Sequence, residues 1–228
     1  MQFMPTVAET ARLLQARAPR RRAGESARLP SLFLMSDEAR LADPVAALAR
    51  LPRGAAVILR HYGAASRAAL ARRLVRAARR RGISVLVAGD WRLAVESGAD
   101  GLHLPEAALR APLAIGPAVR TKRLFITVSV HSANALFLAV KYGVSAALIG
   151  PVFPTRSHPD RPALGPLRFA ALCRLSPVPV IALGGIDARS ALKIRDSGAA
   201  GIAGIGGIAG PRSGTGGAKV MARRGRVV

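Results

Sequence analysis

The sequence predicts an α/β fold, a single (β/α)₈ barrel, and three observations carry that prediction. Short apolar runs recur at intervals of about 25 residues, each but the last followed by a helical stretch, a rhythm that builds parallel strands joined by crossovers. The run Ala146-Ala147-Leu148-Ile149 empties straight into a Gly-Pro loop, SAALIGPVFPTRSHPDRPALG, as a buried strand opening onto a functional loop does. The next apolar unit, VPVIALGGI from Val178 to Ile186, ends in paired glycines. Two such strand ends, one unit apart, place the chemistry on one rim of a ring of strands. No G-x-G-x-x-G follows the first strand, which disfavours an open dinucleotide-binding sheet.

In chain order, residues 1–30 form an extension with a weakly amphipathic segment, Val7 to Ala18, and an Arg-rich linker ending at Pro30. The extension is expected either to cap the bottom of the barrel or to be disordered. Residues 31–208 form the barrel. Strands are expected at Ser31–Ser36, Ala56–Arg60, Ile83–Ala88, Leu102–Leu104, Leu124–Val130, 146–149, within the unit Val178–Ile186, and Ala200–Ile205. Asp43 and Pro44 start a helix to Arg50, as an N-cap and a first-turn proline should. Ser66–Arg81 is a long helix with a basic outer face, closed by Gly82. Shorter helices follow through Ser97, from Ala133 to Tyr142, from Pro166 to Leu175, and from an Asp187 cap to Asp196. Residues 209–228 are Gly- and Arg-rich without apolar periodicity where a final helix is expected. Closure therefore relies on the N-terminal extension, or the C-terminal end is degenerate and partly disordered.

Composition narrows the partners. Of 228 residues, 50% are hydrophobic, enough for a large core, and the formal net charge is +23. The lysines are only Lys122, Lys141, Lys193 and Lys219, so the charge is nearly all arginine in an Ala- and Arg-rich chain, as compositional bias produces. Aromatic residues are 4%, and no basic patch is interleaved with stacking rings, which argues against nucleic acid and for a positive field that attracts phosphorylated small molecules. Cys173 is alone, which excludes an internal disulfide and a thiolate metal cluster and fits a reducing compartment. No signal-peptide core follows Arg20–Arg22 and no long apolar run is present, so the expectation is a cytoplasmic protein without a membrane partner.

The expected strand ends bring Asp37, Arg60 with His61, Asp90, His103, Ser129 with His131, and the Thr155–His158 loop to the C-terminal rim. Glycines at 184, 185, 204, 206 and 207 face them as a backbone nest for a phosphate. Each residue has a plainer role available: Asp37 and Asp90 as helix caps, His103 as a hydrogen-bonded core histidine, His131 as a cap.

The order LFLMSD, GADGLHL, VSVHS, GPVFPT, IALGGI and GAAGIAGIGGI resembles the thiamine phosphate synthase and TenI superfamily from about Leu32 to Ile208. The resemblance implies a barrel that binds the thiazole phosphate precursor of thiamine. In the synthase branch it implies Mg²⁺-assisted joining of that thiazole to hydroxymethylpyrimidine diphosphate, with release of pyrophosphate. In the TenI branch it implies an aromatising tautomerisation of thiazole carboxylate phosphate by a histidine. Of the synthase's usual Q-x-R-E-K only Arg60 remains, and of its Asn-Asp pair only Asp90. Pro105-Glu106-Ala107-Ala108 stands where the family writes G-Q-x-D, so the second metal ligand is lost unless Glu106 substitutes. His158 replaces a lysine, and it is no permanent cation. Ser129, His131, Thr155 and Gly184-Gly185, on the thiazole phosphate side, match.

The sequence reading therefore sets proton transfer first: a TenI-like tautomerase without a cofactor, with His131 and Ser129 catalytic. Arg60, His103, Thr155, His158, Gly184, Gly185, Gly204, Gly206 and Gly207 bind substrate. The alternative is a Mg²⁺-dependent synthase with a diphosphate site rebuilt from Arg60, His61, Asp90, Glu106 and His158, in which Asp90 and Glu106 hold the metal. A non-catalytic thiazole-phosphate-binding paralogue is the third reading. A homo-oligomer stays open. A Cβ at Gly185 is expected to crowd the approaching phosphate oxygens and to force an unfavourable backbone angle.

Overall fold

Unbroken apolar runs dictate the strands, because these strands are covered on both sides. In the computed structural model, which describes residues 4–19, 29–110, 124–141, 143–155 and 161–209, the strands are β1 (Leu32–Met35), β2 (Ala56–Leu59), β3 (Ser84–Ala88), β4 (Gly101–Leu104), β5 (Phe125–Val130), β6 (Ala146–Ile149), β7 (Val180–Leu183) and β8 (Gly201–Gly204). All pair in parallel in chain order, and β8 closes on β1, with Phe33 opposite Ala203, to complete a barrel. Inward-facing Phe33, Met35, Ile58, Leu86, Leu148 and Ile181 fill the interior. Phe33 and Phe125 stack there with ring centroids 6.5 Å apart. The alternate residues, such as Leu34, Val57, Val87 and Leu102, form a second core with the helices.

The helices are α1 (Val7–Arg17), α2 (Pro44–Ala47), α3 (Arg67–Arg80), α4 (Trp91–Ser97), α5 (Ala133–Lys141), α6 (Gly165–Leu175), α7 (Ala188–Leu192) and α8 (Gly206–Ala209). Two 3₁₀ turns add Leu48–Arg50 and Glu106–Leu109. In α3 the buried residues Ala71, Leu74, Val75 and Ala78 recur at helical spacing and leave the arginines outside. Gly82, at φ +64°, ends that helix while the Ile83 N–H returns to the Ala78 carbonyl at 3.0 Å.

One element differs from expectation. The helix capped by Asp187 stops at Leu192, after which the chain tightens into three-residue turns, with Ile194 N–H on Ala191 O and Ser197 N–H on Ile194 O. Over its first stretch the extension has structure: α1, started by a Thr6–Glu9 capping box, packs against β8, β1 and α7, and Leu29, with Ala18 beside it, joins the interior cluster of the barrel. Only the single turn α8 follows β8 among the described residues, so α1 covers the wall beside the closing strand. The Arg20–Arg22 linker, the Pro-rich link between 111 and 123, Tyr142, His158 and the 210–228 tail lie outside the described residues. No described helix is long and apolar enough to cross a membrane.

Candidate functional site

Polar side chains enter the barrel mouth from β2, β4 and β5. His103 takes the inward position on β4 because Leu102 and Leu104 on either side face the helix layer. It is 3% exposed, and its ring is held at both ends, Nδ1 2.8 Å from Thr127 Oγ1 and Nε2 3.0 Å from Ser129 Oγ. Burial first, and then the positive charge of Arg60, push this imidazole down to about 3, so it is neutral at physiological pH. One nitrogen then donates to one hydroxyl and the other accepts from its partner. Expected at the substrate, His103 has both nitrogens engaged inside the wall, one of them on the Ser129 hydroxyl. Arg60 follows β2, its N–H donating to Ser36 Oγ at 2.9 Å. Its half-buried guanidinium has no hydrogen bond or ion pair among the described residues.

His61, a candidate for the diphosphate site, is also frame: it is 4% exposed, with Nδ1 2.9 Å from Ser36 Oγ and Nε2 3.3 Å from the Ala42 carbonyl. The same Ser36 hydroxyl thus ties β1 to the end of β2.

A second cluster stands at the ends of β5 and β6. His131, exposed at the carboxyl end of β5, sets Nδ1 2.6 Å from the Gly150 carbonyl, which can only accept, so Nδ1 carries a proton and the ring is held by that bond. Its backbone N–H donates to Glu106 Oε2 at 2.6 Å. His131, Glu106, Gly150, Pro151, Arg161, Pro162 and Leu164 line an open pocket of about 330 Å³. Thr155 is half-buried in the loop after β6. Arg161 escaped the sequence reading, which sought the loop's lost cation at His158. Its position three residues further on in the same loop was the available signal.

The two glycine turns lie together at the other side of this loop. Val152 and Phe153 N–H donate to the Leu183 and Gly184 carbonyls at 2.9 and 3.1 Å. Gly184 and Gly185 have φ of +92° and +67°. A Cβ on Gly185 would come 2.5 Å from Pro154 O and 2.6 Å from Phe153 O, and one on Gly207 would strike Ile186 O. Glycine at 185 is therefore required by its backbone angle, as expected, and also by the neighbouring backbone that a Cβ would strike. A Cβ on Gly206 would face open space, and one on Gly204 would meet only the Ile208 side chain. No carbonyl takes the N–H of Gly184 or Gly185 among the described residues, so these groups can still meet an anion.

The carboxylates do not fit a magnesium site. Asp90 Oδ1 caps α4 by accepting from Leu93 N–H at 2.9 Å, and Oδ2 faces Arg67 Nη1 at 3.9 Å, so a cation already stands on its open side. Glu106 is turned to the His131 N–H and, at 3.9 Å, to Arg110. No three His, Cys, Asp or Glu side chains gather as ligands among the described residues. Of the two carboxylates expected to hold metal, Glu106 is turned to the frame, and Asp90 has one oxygen in a cap and the other loosely beside a guanidinium, so the set of free hard oxygens that Mg²⁺ asks for is not gathered among the described residues.

Comparison with known proteins gives this geometry a context. Residues 32–208 match the family model of thiamine monophosphate synthase. The chain belongs to that family. A thiamine-phosphate synthase of Thiobacillus denitrificans is 34% identical over 174 residues, covering 73% of this chain and 75% of the relative. One from Geobacillus kaustophilus is 34% identical over 147 residues, covering 60% of this chain and 62% of the relative. The solved thiamine phosphate pyrophosphorylase of Pyrococcus furiosus superposes with a TM-score of 0.66 at 26% identity, covering 78% of this chain and 87% of that one. In this thiamine monophosphate synthase family member, α1 lies outside the matched span, whereas both polar clusters of the mouth lie within it.

Proposed function

We propose that this protein makes thiamine phosphate, joining thiazole phosphate to hydroxymethylpyrimidine diphosphate with release of pyrophosphate. The names of its relatives support the synthase over the tautomerisation that the missing motif residues had put first. The observation that carries the reading is Arg60, a half-buried guanidinium without a partner among the described residues, facing the mouth beside the neutral His103. In the reaction the methylene–oxygen bond of the pyrimidine breaks, its electron pair leaving on the diphosphate, and the lone pair of the thiazole nitrogen forms the new C–N bond. The developing negative charge is met by Arg60, whose planar fork suits phosphate oxygens and which spends no interaction on the resting protein. Thr127 and His103 fix the Ser129 hydroxyl for a polar group of the substrate. The thiazole phosphate end is supported by the glycine turns and by Arg161 across the pocket.

With both substrates supplied, pyrophosphate release is expected, and Arg60→Gln should lower kcat/KM by roughly 10²-fold, as removal of a transition-state charge contact does. An unchanged kcat/KM in that variant removes Arg60 from the site. One observation favours a second reading: His131, whose ring is held by Nδ1 on the Gly150 carbonyl, lines the pocket where a histidine could transfer a proton. Isomerisation of thiazole carboxylate phosphate without pyrophosphate release, lowered roughly 10²–10⁴-fold by His131→Ala, would put tautomerisation in place of synthesis.

A further inference from the structure

Arg67 is the first residue of α3, and its guanidinium crosses to the carboxyl end of β3. There Nη2 donates to the Ala88 carbonyl at 2.5 Å, Nη1 stands 3.9 Å from Asp90 Oδ2, and Cζ lies 5.1 Å over the Tyr62 ring. The side chain is 15% exposed, and its Nε is buried with no partner among the described residues. An arginine that served only the α3 surface would sit in water like Arg72, Arg73 and Arg76 on the same helix. Instead this one leaves a buried donor unpaired, a cost that packing alone does not explain. Its position is telling. Leu59 pairs with Val87, so Arg60 falls beside Ala88, whose carbonyl holds Arg67, and two guanidinium groups occupy adjacent strand ends. The Asp90 carboxylate, 44% exposed and at long range, is a loose counter-charge that an incoming anion can displace.

We propose that Arg67 takes the place of a divalent ion in this site, so that the diphosphate is bound by Arg60 and Arg67 without metal. This rests on the synthase reading and names its charge-neutralising partner. A guanidinium is permanently charged and offers paired N–H groups to two phosphate oxygens, which gives a diphosphate the neutralisation and orientation that a cation with open coordination positions supplies elsewhere. It also explains why the carboxylates beside it do not form a metal cage.

The test is equilibrium binding of inorganic pyrophosphate by calorimetry, in EDTA and in Mg²⁺. The wild type should bind in EDTA, Arg67→Met should bind tenfold or more weakly, and Asp90→Asn should bind at least as tightly as wild type, since it loses only a negative charge. Arg67→Lys, which keeps the charge and the stem, should fall between wild type and Arg67→Met and serves if the methionine variant does not fold. Binding that requires Mg²⁺, no binding in either condition, undiminished binding in the Arg67 variants, or loss of binding in Asp90→Asn would each overturn the proposal. Turnover of the two substrates separates the readings. Pyrophosphate release abolished by EDTA refutes the metal-free site and leaves the synthase standing, whereas binding in EDTA without turnover does the reverse.

Discussion

Within the barrel, His103 is held in a place where a charged imidazole has no counter-ion: the groups facing it are the Thr127 and Ser129 hydroxyls and the cation of Arg60. Above pH 6.5 the ring is neutral whether folded or unfolded, and it sets no pH dependence. As pH falls from 6.5 toward about 3, the unfolded chain takes up the proton and the folded one refuses it, so stability falls with pH across that window. From pH 7 to pH 5 this amounts to about 2 kcal/mol. His103→Gln, which can still hydrogen-bond both hydroxyls, should lose that much less than wild type in urea titrations at the two values. Parallel losses would show that His103 is not buried as described. The sequence already held both readings of this residue, rim ligand and core histidine, and one local string could not choose between them. The choice depends on Thr127 and Ser129, which reach it only through the β4–β5 register.

At the scale of elements, α1 gives the clearest case of a tertiary contact that sequence pattern leaves open. Val7, Ala11 and Leu14 line one face and are buried against the barrel wall, and Gln15 donates to the Leu29 carbonyl. Leu14 is 1% exposed and Leu13 beside it 50% exposed. Leu14→Ala should cost about 2–5 kcal/mol in a denaturant titration, the usual range for emptying a buried leucine site. Leu13→Ala should stay within about 0.5 kcal/mol. Equal effects at the two positions would mean that α1 does not dock by this face. The strands were legible because Leu32–Met35, Ala56–Leu59 and Ala146–Ile149 are unbroken apolar runs ended by turn formers, and two-sided burial requires such runs. The destination of α1 was not, since its pattern names a buried face but no surface to bury it on. Arg67 was missed for a related reason. In sequence it is one more arginine on a basic helix, and only the fold carries it to Ala88 and Asp90.

Over the whole molecule, charge and chemistry are arranged together. The formal net charge is +23, and Arg60, Arg67 and Arg161 stand at the rim where the two polar clusters open. On the proposed function, a phosphorylated substrate would approach through a net positive field that concentrates it at the mouth before any specific contact is made. Salt separates this long-range effect from the short contacts of the site. The Debye length shrinks from about 30 Å at 0.01 M to about 8 Å at 0.15 M, so the general field is screened away while pairs in contact are weakened far less. Over that range kcat/KM for the phosphorylated substrates should fall roughly tenfold, with kcat nearly constant, because the chemical step takes place after the contacts are formed. Steady-state kinetics at a series of salt concentrations reads both quantities. A kcat/KM independent of salt would show that the arginine excess does nothing for substrate capture, and that Arg60 and its neighbours act only at contact range.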